Sequence, residues 1–119
     1  MNILEKLLTP LKEGDIMGYY KMFVPIRMIL TSEVPYEIVC GWGTTRYEGV
    51  AFHRVNSKYW GATDLYSGTR IHTAKTRKEC LDWVLSHRDV IENKRKEPSY
   101  LQLCMEFKDI LIKAKEELE

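Results

Sequence analysis

The chain has 119 residues, of which 45% are hydrophobic and 29% are charged, and its formal net charge at pH 7 is +1. These values are typical of a globular domain and exclude wholesale disorder, which requires low hydrophobicity and high net charge. The sequence has no run of about 18 uncharged apolar residues, and acidic residues interrupt its apolar N-terminus, so we expect no membrane span and no secretory signal. We predict a single cytoplasmic domain over residues 1–119.

The cysteines exclude two kinds of site. Cys40, Cys80 and Cys104 are too few and too widely spaced for a disulfide framework, and none belongs to a C-x-x-C pair. We therefore expect three reduced, buried thiols, no metal and no cofactor.

The N-terminal third predicts a helix followed by an edge strand. Leucine and isoleucine recur at helical spacing at positions 3, 4, 7, 8 and 11, which predicts a short amphipathic helix. From Met17 to Leu30 apolar residues alternate, as in a strand. Pro25 cannot donate to a sheet ladder, so we expect this strand to lie at a sheet edge or to be bulged at Pro25. An edge strand would allow a homo-oligomer to form.

Two more strands follow. Ile38, Cys40 and Trp42 alternate on the first, which predicts a shared and packed face. The second runs from Gly49 to Val55, and a tight turn at Asn56-Ser57 ends it.

A hairpin and two helices complete the chain. Strand-forming residues on both sides of Ser67-Gly68 predict a hairpin with a two-residue loop, whose return strand alternates Ile71 and Thr73 against Arg70 and His72. The side bearing Arg70 and His72 is expected to be solvated and basic.

Two capping boxes mark the helix starts. Thr76 and Glu79 predict a helix from Thr76 to about Asn93, and Ser99 and Gln102 predict the start of the last helix. The predicted fold is α+β, with about five antiparallel strands, a short N-terminal helix, and two C-terminal helices packed on one face of the sheet.

No catalytic motif is present. The side chains suited to acid–base or nucleophilic chemistry are Cys40, His53, His72, His87, Asp64 and Glu48. None stands in a recognisable signature, and no glycine-rich loop leads into a helix as a phosphate site requires. We expect a protein that is not an enzyme, with a small enzyme of unrecognised site as the remaining alternative.

Positive charge is concentrated in the β region. Between Lys21 and Cys80 nine cations stand against five carboxylates, an excess of four. Nucleic-acid binding uses such cations for phosphates and exposed rings for bases. The candidate partner- or phosphate-binding residues are Arg54, Lys58, Tyr59, Trp60, Tyr66, Arg70, His72, Lys75, Arg77 and Lys78.

Two of these cations, Arg77 and Lys78, lie where a helix is predicted to begin, and the helix dipole disfavours cations there. An anionic partner would explain their position, and so would an ordinary solvated face. We therefore predict a non-catalytic binding module, a small regulatory or inhibitory protein such as those encoded by phages. Its expected partner is a nucleic-acid-handling protein or complex, engaged through the basic, aromatic hairpin, and direct DNA or RNA binding is the alternative.

Overall fold

The computed structural model describes residues 18–28 and 35–118. The strands in these ranges are β1 (Tyr19–Arg27), β2 (Tyr36–Thr44), β3 (Val50–Arg54), β4 (Trp60–Asp64) and β5 (Arg70–Ala74). The helices are α1 (Arg77–Ser86), α2 (Arg88–Arg95) and α3 (Pro98–Leu118). The α+β class and the five-stranded antiparallel sheet are confirmed. The predicted N-terminal helix lies outside the described residues.

The sheet follows chain order, β1-β2-β3-β4-β5, and every neighbouring pair is antiparallel. The strand containing Pro25 lies at one edge of the sheet, as predicted. At the end of this strand the Arg27 amide donates to the carbonyl of Gly68, in the β4–β5 connection, at 2.8 Å. Since β2 and β3 separate β1 from β4 in the sheet, the strand end must curl out of the sheet plane to reach it. The sheet is therefore strongly curved.

The described helices α1 and α3 pack against one face of the sheet, which we call the helix face. On β3 and β4 this face presents Val50, Phe52 and Ala62 to Cys80 and Leu81 of α1. On β1 and β2 it presents Phe23, Tyr36 and Ile38 to Phe107 and Leu111 of α3. The opposite face is also buried at Met22, Val24 and Ala51, so the middle of the sheet is covered on both sides.

The helix boundaries correct two predictions. Thr76 caps α1 by accepting from the Glu79 amide at 3.1 Å, but the predicted helix to Asn93 breaks at His87. There the His87 amide donates to the Trp83 carbonyl at 3.0 Å and closes α1, and its Nδ1 lies 2.8 Å from the same carbonyl. Ser99 lies inside α3, because Pro98 fills the first helical position, where its missing N–H costs nothing.

The hairpin differs from its prediction in two ways. The connection between β4 and β5 spans residues 65–69, with Gly68 at a φ of 73°, so the loop is longer than two residues. The register shifts between Ala62 and Thr63, so that Thr63 pairs with Arg70 and Ala62 pairs with His72. Ile71 is the extra residue of this bulge. Arg70 and His72, predicted to share a basic side, therefore lie on opposite faces of the sheet.

A buried ion pair joins the helices to the far end of β4. Asp64 Oδ1 accepts from Arg95 Nε at 3.1 Å and from Arg95 Nη2 at 2.9 Å, and only 5% of the Asp64 side chain is exposed. Asp64 Oδ2 accepts from the Ser67 amide and hydroxyl and from the Tyr100 hydroxyl, at 2.9, 2.7 and 2.8 Å. Burial raises the pKa of Tyr100, so its hydroxyl remains a donor.

The same arginine also clamps the β2–β3 connection. Its guanidinium donates to the Glu48 and Gly49 carbonyls at 3.3 Å and lies over the Tyr47 and Tyr66 rings, 5.4 and 5.2 Å from their centres. Burial opposes the charge on Arg95, but the hydrogen bonds to Asp64 outweigh it and raise the pKa of Arg95. Arg95 thus ties α2 both to the end of β4 and to the β2–β3 connection.

We predict that Asp64→Asn lowers the free energy of unfolding by about 3–5 kcal/mol, because the buried Arg95 then has only the exposed Glu92 carboxylate, 3.6 Å away, as a counter-charge. Urea unfolding measured by circular dichroism gives this value. The control is Asp82→Asn, which breaks the exposed pair between Asp82 and Lys78 and should cost less than about 0.5 kcal/mol. Equal losses in the two variants would contradict the structural role of the buried pair.

Candidate functional site

Cations and aromatic rings alternate along the end of the helix face where α1 begins. In space their order is Lys21, Trp42, Arg77, Trp60 and Arg54, and we call this row the cation–aromatic ladder. Lys21 Nζ lies 5.5 Å from the centre of the Trp42 ring. Arg77 Cζ lies 4.9 Å from the Trp42 ring and 5.9 Å from the Trp60 ring, and Arg54 Cζ lies 5.5 Å from the Trp60 ring. All four distances are within the range of cation–π attraction.

Strand pairing builds this row. Lys21 pairs with Trp42 across β1 and β2, and Arg54 pairs with Trp60 across β3 and β4. Trp42 also pairs with Phe52 across β2 and β3. Because Phe52 and Arg54 are two residues apart on β3, the Lys21–Trp42 pair and the Arg54–Trp60 pair lie on the same face of the sheet. Arg77, the first residue of α1, then reaches down between the two indole rings. The ladder therefore combines residues from four strands and one helix.

Arg77 lies in a box of three aromatic rings, because its Cζ is also 3.8 Å from the centre of the Tyr19 ring. Each cation–π contact contributes about 0.5–2 kcal/mol, whereas a cation near a helix N-terminus costs only about 0.3–1 kcal/mol. Packing on the rings therefore accounts for an arginine at this helix start, and its position by itself does not require an anionic ligand.

Three lysines, Lys58, Lys75 and Lys78, border the ladder, and we call them the basic rim. Lys58 lies in the β3–β4 turn, which Asn56 Oδ1 fixes by accepting from the Lys58 and Tyr59 amides at 2.8 and 3.0 Å. Lys75 directly follows the β5 residue that pairs with Trp60. Lys78 forms an exposed ion pair with Asp82 at 3.3 Å.

Four cations of this region form no ion pair in the described part of the chain. Within residues 18–28 and 35–118, no ion pair is formed by Lys21, Arg54, Lys58 or Lys75. Arg54 donates to the Ser57 carbonyl at 3.4 Å. The surface therefore combines cations held over rings with cations that extend into solvent.

The structure brings together six of the ten residues predicted from the sequence: Arg54, Lys58, Trp60, Lys75, Arg77 and Lys78. Tyr59 lies in the β3–β4 turn, where it is 39% exposed. Tyr66 lies at the opposite end of β4, packed over Gly49 and beside Arg95. Arg70 lies on the face opposite the ladder, with its side chain over Gly61. His72 stacks on Trp83 of α1 at 4.4 Å between ring centres, and His87 stacks on the other side of that indole at 4.0 Å.

Sequence reasoning missed three residues of this surface: Tyr19, Lys21 and Trp42. They lie in β1 and β2, whereas the candidate site predicted from the sequence lies in and around the β4–β5 hairpin. The alternation of Trp42 with Ile38 and Cys40 correctly predicted one shared face. What the sequence lacked was the register that places Lys21 opposite Trp42.

Three of the side chains suited to catalysis, Cys40, His53 and Asp64, lie apart in the described part of the chain. Cys40 is exposed on the helix face, contrary to the prediction of a buried thiol, whereas Cys80 is buried and Cys104 is partly buried. His53 lies on the opposite face, 5% exposed, and Asp64 is engaged in the buried network with Arg95. Cys40, His53 and Asp64 therefore share no pocket among the described residues.

Two other features are absent from the described part of the chain. It contains no cluster of three or more His, Cys, Asp or Glu side chains arranged to hold a metal ion. None of its helices is both long enough and apolar enough to cross a membrane.

The burial of His53 can be tested by the pH dependence of stability. Burial, followed by the charge of Arg70, lowers the pKa of His53 below its ordinary value of 6.5. The unfolded chain takes up a proton near that ordinary value while the folded protein resists it, so the free energy of unfolding must decrease as the pH falls below 6.5. We predict a smaller decrease between about pH 7.5 and about pH 5.5 for His53→Asn than for the unmodified protein. Urea unfolding at the two pH values measures the free energy of unfolding, and equal decreases in both proteins would contradict the prediction.

Comparison of the chain with protein-family models, with curated proteins and with solved structures found no match. The functional argument therefore depends on the geometry of the chain itself.

Proposed function

We propose that the protein is a non-catalytic binding module, regulatory or inhibitory in role, which engages an anionic surface of a nucleic-acid-handling protein or complex. The observation that carries the proposal is the cation–aromatic ladder with its basic rim. It concentrates positive charge at one end of the sheet, where Lys21, Arg54, Lys58 and Lys75 form no ion pair with the described carboxylates.

The rings make these cations better suited to binding. A free lysine or arginine side chain loses up to about 2 kcal/mol of conformational entropy when it is immobilised. Lys21 and Arg54 are already positioned over Trp42 and Trp60, so part of that entropy has been lost before a partner arrives. A surface organised in advance binds more tightly than one that must be ordered on contact.

The same arrangement favours recognition of charge over stacking of bases. Single-stranded nucleic acids bind proteins by stacking their bases on exposed rings. Here Arg77 lies over Trp42 and Trp60, and Lys21 and Arg54 cover the same two rings from other directions. An incoming base would have to displace a cation. A row of carboxylates or phosphates needs no such displacement, and it would contact the lysines of the rim as well.

We predict that a triple variant, Arg54→Glu with Lys58→Glu and Lys75→Glu, loses at least about tenfold in affinity for an anionic polymer, because each reversal replaces attraction with repulsion. The measurement is fluorescence anisotropy with labelled poly-glutamate, duplex DNA and duplex RNA, at low and at physiological salt. Stronger binding to poly-glutamate than to either duplex supports a protein partner, and the reverse order supports direct nucleic-acid binding.

The matched control reverses Lys94, Lys96 and Lys108, which changes the net charge equally. These lysines are exposed and lie in α2, in the residue that follows it and in α3, away from the ladder. The affinity of the control variant for each polymer should stay within about threefold of that of the unmodified protein. At physiological salt, charges farther than about 8 Å from the bound polymer are largely screened. Equal weakening in both triple variants, or no binding at low salt by the unmodified protein, would disprove the proposed site.

A further inference from the structure

A second feature lies at the other end of β4. A pocket of about 210 Å³ opens between β5 and the three helices. Apolar side chains from these elements form most of its wall: Ile71, Trp83, Val90, Ile91, Tyr100 and Leu103. None of these residues belongs to the ladder or to the basic rim.

The polar groups at the pocket wall already have partners. Both oxygens of Asp64 accept hydrogen bonds from Arg95, Ser67 and Tyr100. The Thr69 hydroxyl lies 2.7 Å from the Ser67 hydroxyl. At the mouth, Lys94 forms an ion pair with Glu97 at 3.1 Å. An occupant would therefore gain little from hydrogen-bonding groups, and a charged one would lose its hydration without compensation.

The geometry points to a binding site for a small, uncharged, apolar molecule with one or two rings. An engineered apolar cavity of about 150 Å³ in another protein binds benzene and stays free of water. The present pocket is larger, at about 210 Å³, which suits a two-ring molecule. Water bound against this apolar wall gains few hydrogen bonds, because the nearby polar atoms are engaged, so an apolar ligand can displace it at little cost.

The test uses indole, an uncharged two-ring molecule, and methyl groups as reporters. Indole is titrated into ¹³C-methyl-labelled protein, and the methyl resonances are followed by NMR. We expect saturable shifts of the methyl resonances of Ile71, Val90, Ile91 and Leu103, and an increase in the melting temperature, because a ligand that binds only the folded state stabilises it.

Two substitutions on α3 provide a matched pair. Leu103→Trp fills the pocket and should weaken indole binding at least tenfold. Leu101→Trp adds the same side chain two residues away at a position that is 53% exposed and does not line the pocket, so it should leave the affinity unchanged. Val90→Glu places a carboxylate at an exposed position of the wall, where the side chain is 58% exposed and folding should tolerate the change. It should also weaken binding, and it keeps the test decisive if Leu103→Trp does not fold.

Three outcomes would overturn the inference. One is the absence of saturable shifts up to the solubility limit of indole. Another is shifts spread over methyl groups remote from the pocket. The third is an affinity that Val90→Glu and Leu103→Trp leave unchanged. Because the ladder variants do not alter the pocket, failure here would not affect the proposed function, and failure of the charge-reversal experiment would not affect the pocket.

Discussion

The buried ion pair between Asp64 and Arg95 is the constraint on which the helical layer depends. Neither group tolerates burial alone, because taking an isolated charge out of water costs several kcal/mol. The pair satisfies both charges, while Ser67 and Tyr100 occupy the remaining acceptor positions of the carboxylate. As a result the end of β4, the turn after it, α2 and the start of α3 are held in one arrangement. The apolar pocket exists because these elements are fixed at this separation and do not collapse onto one another.

Local sequence signals predicted local structure well. Alternation identified the strands, Pro25 placed β1 at an edge, and Thr76 with Glu79 marked the start of α1. The failures are long-range. A bulge at Ile71 moved Arg70 and His72 to opposite faces, and no pattern within the strand reveals a bulge that depends on pairing with Ala62 and Thr63. The ladder depends on the registers of three strand pairs, so its β1 and β2 members could not be found from a local excess of charge. The pocket likewise needed the packing of α2 and α3, which the sequence did not provide.

The ladder shows why a charge excess is an incomplete guide to function. Arg77 appeared anomalous at a helix start, which suggested an anionic ligand. Its box of Tyr19, Trp42 and Trp60 gives a structural reason that is at least as strong, since cation–π contacts outweigh the dipole penalty. Cations of the same surface thus have different roles. Arg77 anchors α1 to the sheet, whereas Lys58 and Lys75 are exposed, one in a turn and one just after a strand end. The functional argument is therefore stronger for the rim than for the arginine that first suggested it.

The two candidate surfaces lie at opposite ends of the same elements. From Trp60 to Asp64 the strand rises about 13 Å, and from Arg77 to Trp83 the helix rises about 9 Å. Coupling between such sites requires an element with two arrangements that each ligand favours differently. The connecting helix α1 is anchored by Cys80, Leu81 and Val84, all at most 2% exposed, and by the guanidinium of Arg77 in its aromatic box. Close packing of this kind favours one position over a continuous range of them. An anionic partner at the ladder and an apolar molecule in the pocket should therefore bind independently, each leaving the affinity of the other unchanged.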